Sequence, residues 1–234
     1  MRDEPRRLWI GRRGSAAGPW LEVCAAAGIP TELLPLIEHE ALPPSAELVV
    51  DLEHGRAWDW LFLTSARGAR RWAEAAGERA WTLARRVAAV GPATAEAARH
   101  AGAAPDLVGS GGGAELAADF LALGVPRDAR LLFVGAEAAR PELAAALHSA
   151  GYVLTKWAAY RTMALPGPAP AEGEPVLLFS PSGVDALRAR VADPSRHPAL
   201  AVGRTTAAAV EAQGFPLAGT LDAPHPEGLA ALLR

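Results

Sequence analysis

Short apolar runs alternate along this chain with alanine-rich helical stretches. Runs of about four to six residues predict β-strands, and stretches of about ten residues between them predict helices. The predicted strands are Leu8–Gly11, Glu32–Ile37, Trp60–Thr64, Val87–Val90, Leu131–Val134, Val153–Ala158, Val176–Phe179, Leu200–Val202 and Leu217–Thr220. The predicted helices are Pro19–Ala27, Ala66–Ala76, Ala93–Ala101, Ala114–Leu123, Arg140–Ala150, Gly183–Val191, Thr205–Gln213 and Pro226–Leu233. This alternation is typical of α/β folds with mostly parallel sheets, which is the fold class that we expect.

The composition is that of a globular protein, and it narrows the function classes. Half of the 234 residues are hydrophobic, and the formal net charge of −3 indicates neither a nucleic-acid footprint nor a basic surface for a membrane. No apolar run reaches the roughly 18 residues of a membrane span, and residues 1–5 lack the apolar core of a secretory signal. We therefore expect a cytoplasmic protein of one large domain or two small ones.

An internal repeat is the more informative signal. Leu61–Gly68 parallels Val176–Gly183, with a serine and a glycine at matching positions. Farther along, Ala89–Ala95 parallels Ala201–Ala207, and a helix that ends at a glycine follows both copies. A strand, a turn and a helix therefore recur in the same order in two parts of the chain.

A second, weaker pair joins Leu8–Ile37 to Leu131–Tyr160. The repeats thus follow the order A (8–40), B (59–123), A′ (130–162), B′ (175–234). Tandem domains would pair A with B and A′ with B′. In the alternative, B and A′ form a central domain, while A and B′ form a domain from both chain ends. That alternative leaves two linkers side by side, Pro35–Leu48 going out and Tyr160–Pro175 coming back, and the repeat alone does not choose.

Hydroxyl groups gather where predicted strands turn into helices. The Val-Gly repeats place Thr94 and Thr206 in a first helical turn, where free N–H groups bind anions readily. Thr64-Ser65 and Ser180–Ser182 stand at other strand ends. A single turn of this kind is as readily an ordinary helix start. In open α/β sheets, however, ligands bind beyond the carboxyl ends of the strands, so two domains with such ends facing one cleft would suit a multiply anionic ligand.

Three further residue types bear on the chemistry. Tyr160 closes a predicted strand, where a tyrosine is most often a packing residue with a wet hydroxyl. If the linkers join two domains, Tyr160 lies on the cleft floor and its hydroxyl becomes a candidate proton donor. The six histidines show no metal-binding spacing, so no metal site is predicted. Cys24 lies in an alanine-rich helix and is predicted to be a small buried residue.

An ordered set of segments resembles the uroporphyrinogen-III synthase family. No single segment is specific, but together they cover nearly the whole chain in family order. The segments are Pro35–Glu38, Leu63–Ser65, Ala89–Thr94, Leu131–Phe133 followed by Arg140, Ala159–Thr162, Phe179–Gly183, Ala201–Thr206 and Pro224–Leu229.

The resemblance implies two flavodoxin-like, doubly wound α/β domains joined by a two-stranded linker. Residues 1–37 with 165–234 would form a discontinuous domain, and residues 40–160 would form the inserted one. The family is a group of cyclising hydro-lyases of tetrapyrrole biosynthesis, on the route to porphyrins and haem. Its members convert the linear tetrapyrrole hydroxymethylbilane to uroporphyrinogen III in the interdomain cleft, with loss of water, inversion of ring D and closure of the macrocycle.

The resemblance also implies the site. No cofactor or metal is expected, nor a nucleic-acid or membrane partner, and the protein is expected to be a cytoplasmic monomer. Carried over residue by residue, the general acid falls on Tyr160. The implied substrate contacts are Arg12, Thr64, Ser65, Arg67, Thr94, Arg140, Ser180, Ser182 and Thr206. The alternative is a non-catalytic two-domain module that binds a tetrapyrrole or another polyanionic small molecule; it would keep the repeat and the hydroxyl-rich turns without the chemistry.

Overall fold

The computed structural model describes residues 7–221 and 225–232. All other residues lie outside the described part of the chain. They include part of the Pro224–Leu229 segment and the end of the predicted helix Pro226–Leu233. The strands are β1 Leu8–Ile10, β2 Thr31–Leu33, β3 Ile37–Ala41, β4 Trp60–Leu63, β5 Val87–Ala89, β6 Leu107–Val108, β7 Leu131–Ala136, β8 Leu154–Ala164, β9 Val176–Leu178, β10 Ala199–Val202 and β11 Leu217–Leu221. The helices are α1 Gly18–Ala26, α2 Ala46–Glu53, α3 Ala66–Ala76, α4 Pro92–His100, α5 Gly113–Ala122, α6 Glu142–Ser149, α7 Pro181–Arg188, α8 Arg204–Ala212 and α9 Leu229–Leu232.

The chain divides into two compact units. Unit 1 consists of Met1–Glu38 and Met163–Arg234, and unit 2 consists of His39–Thr162. The chain passes between the units twice, inside β3 and inside β8, which are neighbours in the same sheet. Whether either unit folds as an independent domain, with the boundaries expected from the sequence, stays a prediction.

Each unit is built on its own sheet. In unit 1 the strand order is β11-β10-β9-β1-β2, and all four pairings are parallel. Counted within the unit, this is the 2-1-3-4-5 order of flavodoxin-like folds. In unit 2 the order is β3-β8-β7-β4-β5-β6, with parallel pairing from β8 to β6. The predicted α/β class with mostly parallel sheets is confirmed.

The strand pairings also show how the repeats combine. β1 of repeat A pairs with β9 of repeat B′, and β4 of repeat B pairs with β7 of repeat A′. In both sheets the two strands of an A-type repeat lie beside the three strands of a B-type repeat, in the same spatial order. The two copies therefore form sheets of one topology although their chain connections differ.

Alternate residues of the central strands are buried on opposite faces of each sheet. In β4, Leu61 and Leu63 pack with α2, α3 and α4, whereas Trp60 and Phe62 pack with α5 and α6. In unit 1 the helices α7 and α8 cover one face, and α1 covers the other. Helices on both faces explain why these strands are continuously apolar. None of the helices in the described residues is long and apolar enough to cross a membrane.

Residues 32–48 differ from the prediction. The predicted strand Glu32–Ile37 is present but wrong in its bounds, because β2 spans Thr31–Leu33 and Ile37 begins β3. The outgoing linker Pro35–Leu48 is also wrong in extent, since β3 and the start of α2 lie inside it. Polar residues of an edge strand carry no alternating pattern, which hid β3. The start of α2 did carry a signal, because Ser45 caps the helix by accepting a hydrogen bond from the Leu48 N–H group.

The return segment and one short strand also differ from the prediction. The return segment predicted as linker from Tyr160 to Pro175 begins later, because β8 extends to Ala164. The two-residue strand β6 was not predicted, since so short a segment gives no periodic signal.

Candidate functional site

The candidate residues of unit 2 lie at one edge of its sheet. Thr64 and Ser65 follow β4, and Thr94 lies in the first turn of α4 after β5. Arg140 lies between β7 and α6, and Tyr160 lies in the second half of β8. Because these strands are parallel, their carboxyl ends meet at the same edge, which is where ligands bind in open α/β sheets.

An irregularity in β8 determines which way Tyr160 points. Gly135 pairs with Ala158 but the next residue of β7 pairs with Tyr160, so Ala159 is an extra residue in β8. As a result Ala159 and Tyr160, although consecutive, both pack in the core cluster that contains α3. In a regular strand they would face opposite sides, so the bulge turns the tyrosine toward α3.

The Tyr160 hydroxyl is bonded to the first residue of the α3 cap. It donates a hydrogen bond to Ser65 Oγ over 3.0 Å. The same Ser65 oxygen accepts a hydrogen bond from the Gly68 N–H group, also over 3.0 Å. The tyrosine is only 8% exposed, whereas the serine is partly exposed. The structure therefore brings together two of the residues predicted from the sequence.

Two basic side chains surround the Tyr160 ring. The Arg67 guanidinium carbon lies 5.5 Å from the centre of the ring, and the His39 imidazole meets its edge at 5.7 Å between ring centres. His39 Nδ1 also lies 3.0 Å from the Thr162 hydroxyl oxygen. Nothing in the sequence marked His39 as part of this site, because it belongs to the unpredicted strand β3.

Burial changes the protonation of both basic groups. Burial, and after it the positive charge of Arg67, lower the pKa of His39 below its usual value of 6.5, so the imidazole is neutral at pH 7. Burial and the like charge of Arg70 lower the pKa of Arg67, against the opposing effects of Tyr160 and Glu74. An arginine nevertheless stays protonated, so one fixed positive charge lies beside the tyrosine.

Thr64 lies close to a glycine of the neighbouring strand. A Cβ atom on Gly135 would lie 2.5 Å from Thr64 Oγ1 and 2.9 Å from the ring of Phe133. Glycine is thus the residue that leaves room for the threonine hydroxyl at this edge.

Unit 1 repeats part of this arrangement. Ser180 caps α7 by accepting a hydrogen bond from the Gly183 N–H group over 3.2 Å, as Ser65 does at α3. The Ser180 oxygen is also 3.2 Å from the Ser182 oxygen, so these two predicted residues are in contact. The Arg12 guanidinium carbon lies 4.0 Å from the centre of the Phe179 ring, and burial lowers the pKa of Arg12.

The other predicted contact residues differ in exposure and in the partners they have. Thr94 and Thr206 are 6% and 3% exposed, so they have little surface to offer a ligand. Arg140 is exposed at the surface. In the part of the chain that the structure describes, none of Arg12, Arg67 and Arg140 forms an ion pair with a carboxylate. Their charges are therefore available to an anion.

The described residues hold no group of three or more His, Cys, Asp or Glu side chains placed to bind a metal ion. Cys24 is fully buried as predicted, and burial raises the pKa of its thiol. The thiol is thus protonated at neutral pH and chemically inactive.

Comparison with known protein families identifies the family to which the chain belongs. The family model of uroporphyrinogen-III synthase HemD matches residues 19–231. The chain belongs to the uroporphyrinogen-III synthase family. Members of this family are cyclising lyases of tetrapyrrole biosynthesis. No curated protein sequence matches the chain.

Solved structures of uroporphyrinogen III synthases share the fold. A mutant of the enzyme from the extremely thermophilic bacterium Thermus thermophilus is 23% identical, with a TM-score of 0.71, over 97% of this chain and 96% of the other. The enzyme from Helicobacter pylori is 16% identical, with a TM-score of 0.63, over 99% of this chain and 100% of the other. At these identities the likeness concerns the fold, and the roles of single residues rest on the geometry above.

Proposed function

We propose that this chain converts hydroxymethylbilane to uroporphyrinogen III, with loss of water, inversion of ring D and closure of the macrocycle, and without a metal or cofactor. Family membership supports the reaction. The observation that carries it in this chain is the hydrogen-bonded pair of Tyr160 and Ser65 at the carboxyl edge of the unit 2 sheet.

The pair supplies what the first step requires. The substrate hydroxyl leaves as water only after it gains a proton, and the pyrrole nitrogen then supplies the electron pair that replaces the broken C–O bond. The substituted α-carbon of ring D attacks the resulting azafulvene cation and forms a spiro intermediate. The bond from that carbon to the ring C bridge then breaks, the bridge carbon bonds to the free α-carbon of ring D, and that carbon loses its proton. A phenol near neutral pH can give the proton at the first step and take one back at the last, as a general acid and then base.

Substrate binding is assigned to groups that suit carboxylates. The guanidinium groups of Arg12, Arg67 and Arg140 provide positive charge and paired donors. The hydroxyls of Thr64, Ser180 and Ser182 at the strand ends provide single hydrogen bonds, whereas the buried Thr94 and Thr206 have little surface to contribute. Many weak contacts of this kind control the conformation of a flexible chain, which matters more here than a strong acid or base. We further propose that the protein acts as a cytoplasmic monomer, needing neither nucleic acid nor membrane.

The identity of the product tests this function. Hydroxymethylbilane closes unaided to the uninverted type I ring, so the purified protein should yield the type III isomer, with or without a chelator. Tyr160→Phe removes only a hydroxyl and should lower kcat by about 10²- to 10⁴-fold, as expected for a lost general acid. Formation of type I alone at the spontaneous rate would leave the non-catalytic binding module as the better account.

The second tyrosine of the chain provides a matched control. Tyr152 lies in the same unit, is 1% exposed and donates its hydroxyl to the Val125 carbonyl over 2.6 Å, away from the site. Tyr152→Phe should lower stability, because it leaves a carbonyl without its partner, and should leave kcat unchanged. If both variants slow turnover equally, the effect of Tyr160→Phe comes from loss of structure and not from a lost acid.

A further inference from the structure

The hydrogen bonds at Ser65 Oγ leave its own proton only one direction. A serine hydroxyl has one donor and two acceptor positions. Here both acceptor positions are filled, one by the Gly68 N–H group and one by the Tyr160 O–H group, each at 3.0 Å. The Ser65 proton must therefore point away from both, and the residue that carries it is partly exposed at the edge of the sheet.

Other serine caps show that the tyrosine contact is an addition to ordinary helix capping. Ser45 caps α2 through the Leu48 N–H group alone among its described partners. Ser180 caps α7 and has Ser182 as its further partner. Only at Ser65, among these three caps, does a phenol donate into the capping oxygen. Capping does not need that bond, so the bond calls for a separate explanation.

Tyr160 is poorly placed to reach a ligand by itself. It is 8% exposed, and its proton is already directed at Ser65. Ser65, by contrast, is partly exposed and has a proton free to donate. We propose that Ser65 delivers the proton to the leaving hydroxyl of the substrate and is refilled by Tyr160, so that the two hydroxyls form a relay. This inference rests on the proposed function and deepens it.

The relay balances in both directions. The Ser65 O–H bond breaks as its proton moves to the substrate hydroxyl, while the Tyr160 proton moves to Ser65 Oγ. The C–O bond breaks, and its electron pair leaves with the water. The phenolate that remains takes back, through Ser65, the proton lost from carbon at ring closure. The Arg67 charge, 5.5 Å from the ring centre, offsets the negative charge that the tyrosine holds in the interval.

Geometry supports transfer through the serine. A hydroxyl that accepts two hydrogen bonds becomes a better donor, because hydrogen bonds in a chain polarise one another. The bulge at Ala159 serves this contact directly, since without it Tyr160 would face away from α3.

The test separates the cap from the proton. Ser65→Asn keeps an oxygen that can accept from Gly68 N–H, because asparagine is among the best N-cap residues, but it has no hydroxyl proton to transfer. We expect kcat to fall by about 10²- to 10⁴-fold, by the same factor as in Tyr160→Phe. Ser65→Thr restores a hydroxyl and should retain kcat within about tenfold. Ser45→Asn makes the same substitution at a cap outside the site and should leave kcat unchanged.

Two further readouts would not respond to a merely structural role. In the double variant of Ser65→Asn with Tyr160→Phe, kcat should be no lower than in the worse single variant, because residues that act as one unit are not additive. The kcat of the unmutated protein should be measured in mixtures of H₂O and D₂O. Its dependence on the fraction of D₂O should be that expected when two protons move in the same step.

The outcomes are distinguishable. If the unmutated protein makes uroporphyrinogen III but Ser65→Asn stays within tenfold of it while Tyr160→Phe is impaired, Tyr160 acts directly and the relay is overturned. Multiplying effects in the double variant, or a single-proton dependence on D₂O, would overturn it as well. If the unmutated protein makes only type I product, the proposed function fails before the relay is tested.

Discussion

The close approach of α3 to β7 makes a sharp prediction about two glycines. Gly68 and Gly183 are the third residues of α3 and α7, and each N–H group is bonded to the serine that caps its helix. A Cβ atom on Gly68 would lie 2.8 Å from the Val134 carbonyl oxygen, which belongs to the backbone of β7. A Cβ atom on Gly183 would meet only Ser180 Oγ, at an ordinary 3.5 Å. Alanine should therefore be harmful at the first position and tolerated at the second.

The magnitude follows from two opposing terms. Alanine in place of glycine stabilises a helix by about 1 kcal/mol, and we take the same gain at both matched sites. Forcing an extra carbon against a backbone oxygen costs about 1–3 kcal/mol, because α3 or β7 must shift. Gly68→Ala should thus lower the free energy of unfolding of unit 2 by about 0–2 kcal/mol, whereas Gly183→Ala should raise that of unit 1 by up to about 1 kcal/mol. The difference between the two variants, about 1–3 kcal/mol, is the overpacking term alone.

Hydrogen exchange measures the two units separately, which one overall melting curve would not do. Backbone amides of β4 and β7 should exchange up to about 30-fold faster in Gly68→Ala, while those of β9 and β10 should slow by up to about fivefold in Gly183→Ala. Equal changes of the same sign in both variants would refute the reasoning, because only the Gly68 site has a backbone oxygen within 3 Å of the added carbon.

Two further predictions concern acid stability and domain structure. Since the pKa of His39 lies below 6.5 in the fold, the unfolded chain binds the extra proton first as pH falls, so unit 2 should lose stability below about pH 6.5. His39→Gln should lose less between about pH 7.5 and 5.5, measured by urea denaturation; an equal loss in both proteins would contradict this. A fragment of residues 37–164, which contains every strand of the six-stranded sheet, should fold cooperatively, as followed by circular dichroism. A fragment of residues 1–125 lacks β7, the central partner of β4, and should not; the reverse result would favour tandem domains.

The fold could largely be predicted because its central strands are buried on both faces. Such strands are continuous apolar runs, which are easily recognised as strands. The repeat matches β4 with β9 and β5 with β10, so each prediction was supported by a second copy. The errors fell on β3, whose residues are all partly or fully exposed and carry no pattern, and on α2, which follows two prolines. Three consecutive polar residues in β3 interrupt both the apolar run of a buried strand and the alternation of a half-buried one.

The residues of the candidate site could be selected from the sequence, but the contacts between them could not be predicted. Ser65 and Tyr160 were each selected from the sequence, yet 95 positions separate them and no pattern indicates that they touch. The contact depends on a bulge at Ala159. Because Ala158 precedes it, nothing in the sequence distinguishes Ala159 as the extra residue. His39 was missed for the same reason, since its place beside Tyr160 follows from sheet order and not from spacing.

The internal repeat aligns the proposed acid of unit 2 with a residue of unit 1 that has no proton to donate. Leu8–Ile37 and Leu131–Tyr160 have equal lengths, so Ile37 corresponds in sequence to Tyr160. Both units keep the strand order and the serine cap, but in unit 1 the capping Ser180 has a serine as its second partner instead of a phenol. A serine hydroxyl can hold a carboxylate but is far too weak an acid to expel water unaided. Under the proposed relay, these differences would place the proton chemistry in unit 2 and leave unit 1 with groups suited to binding.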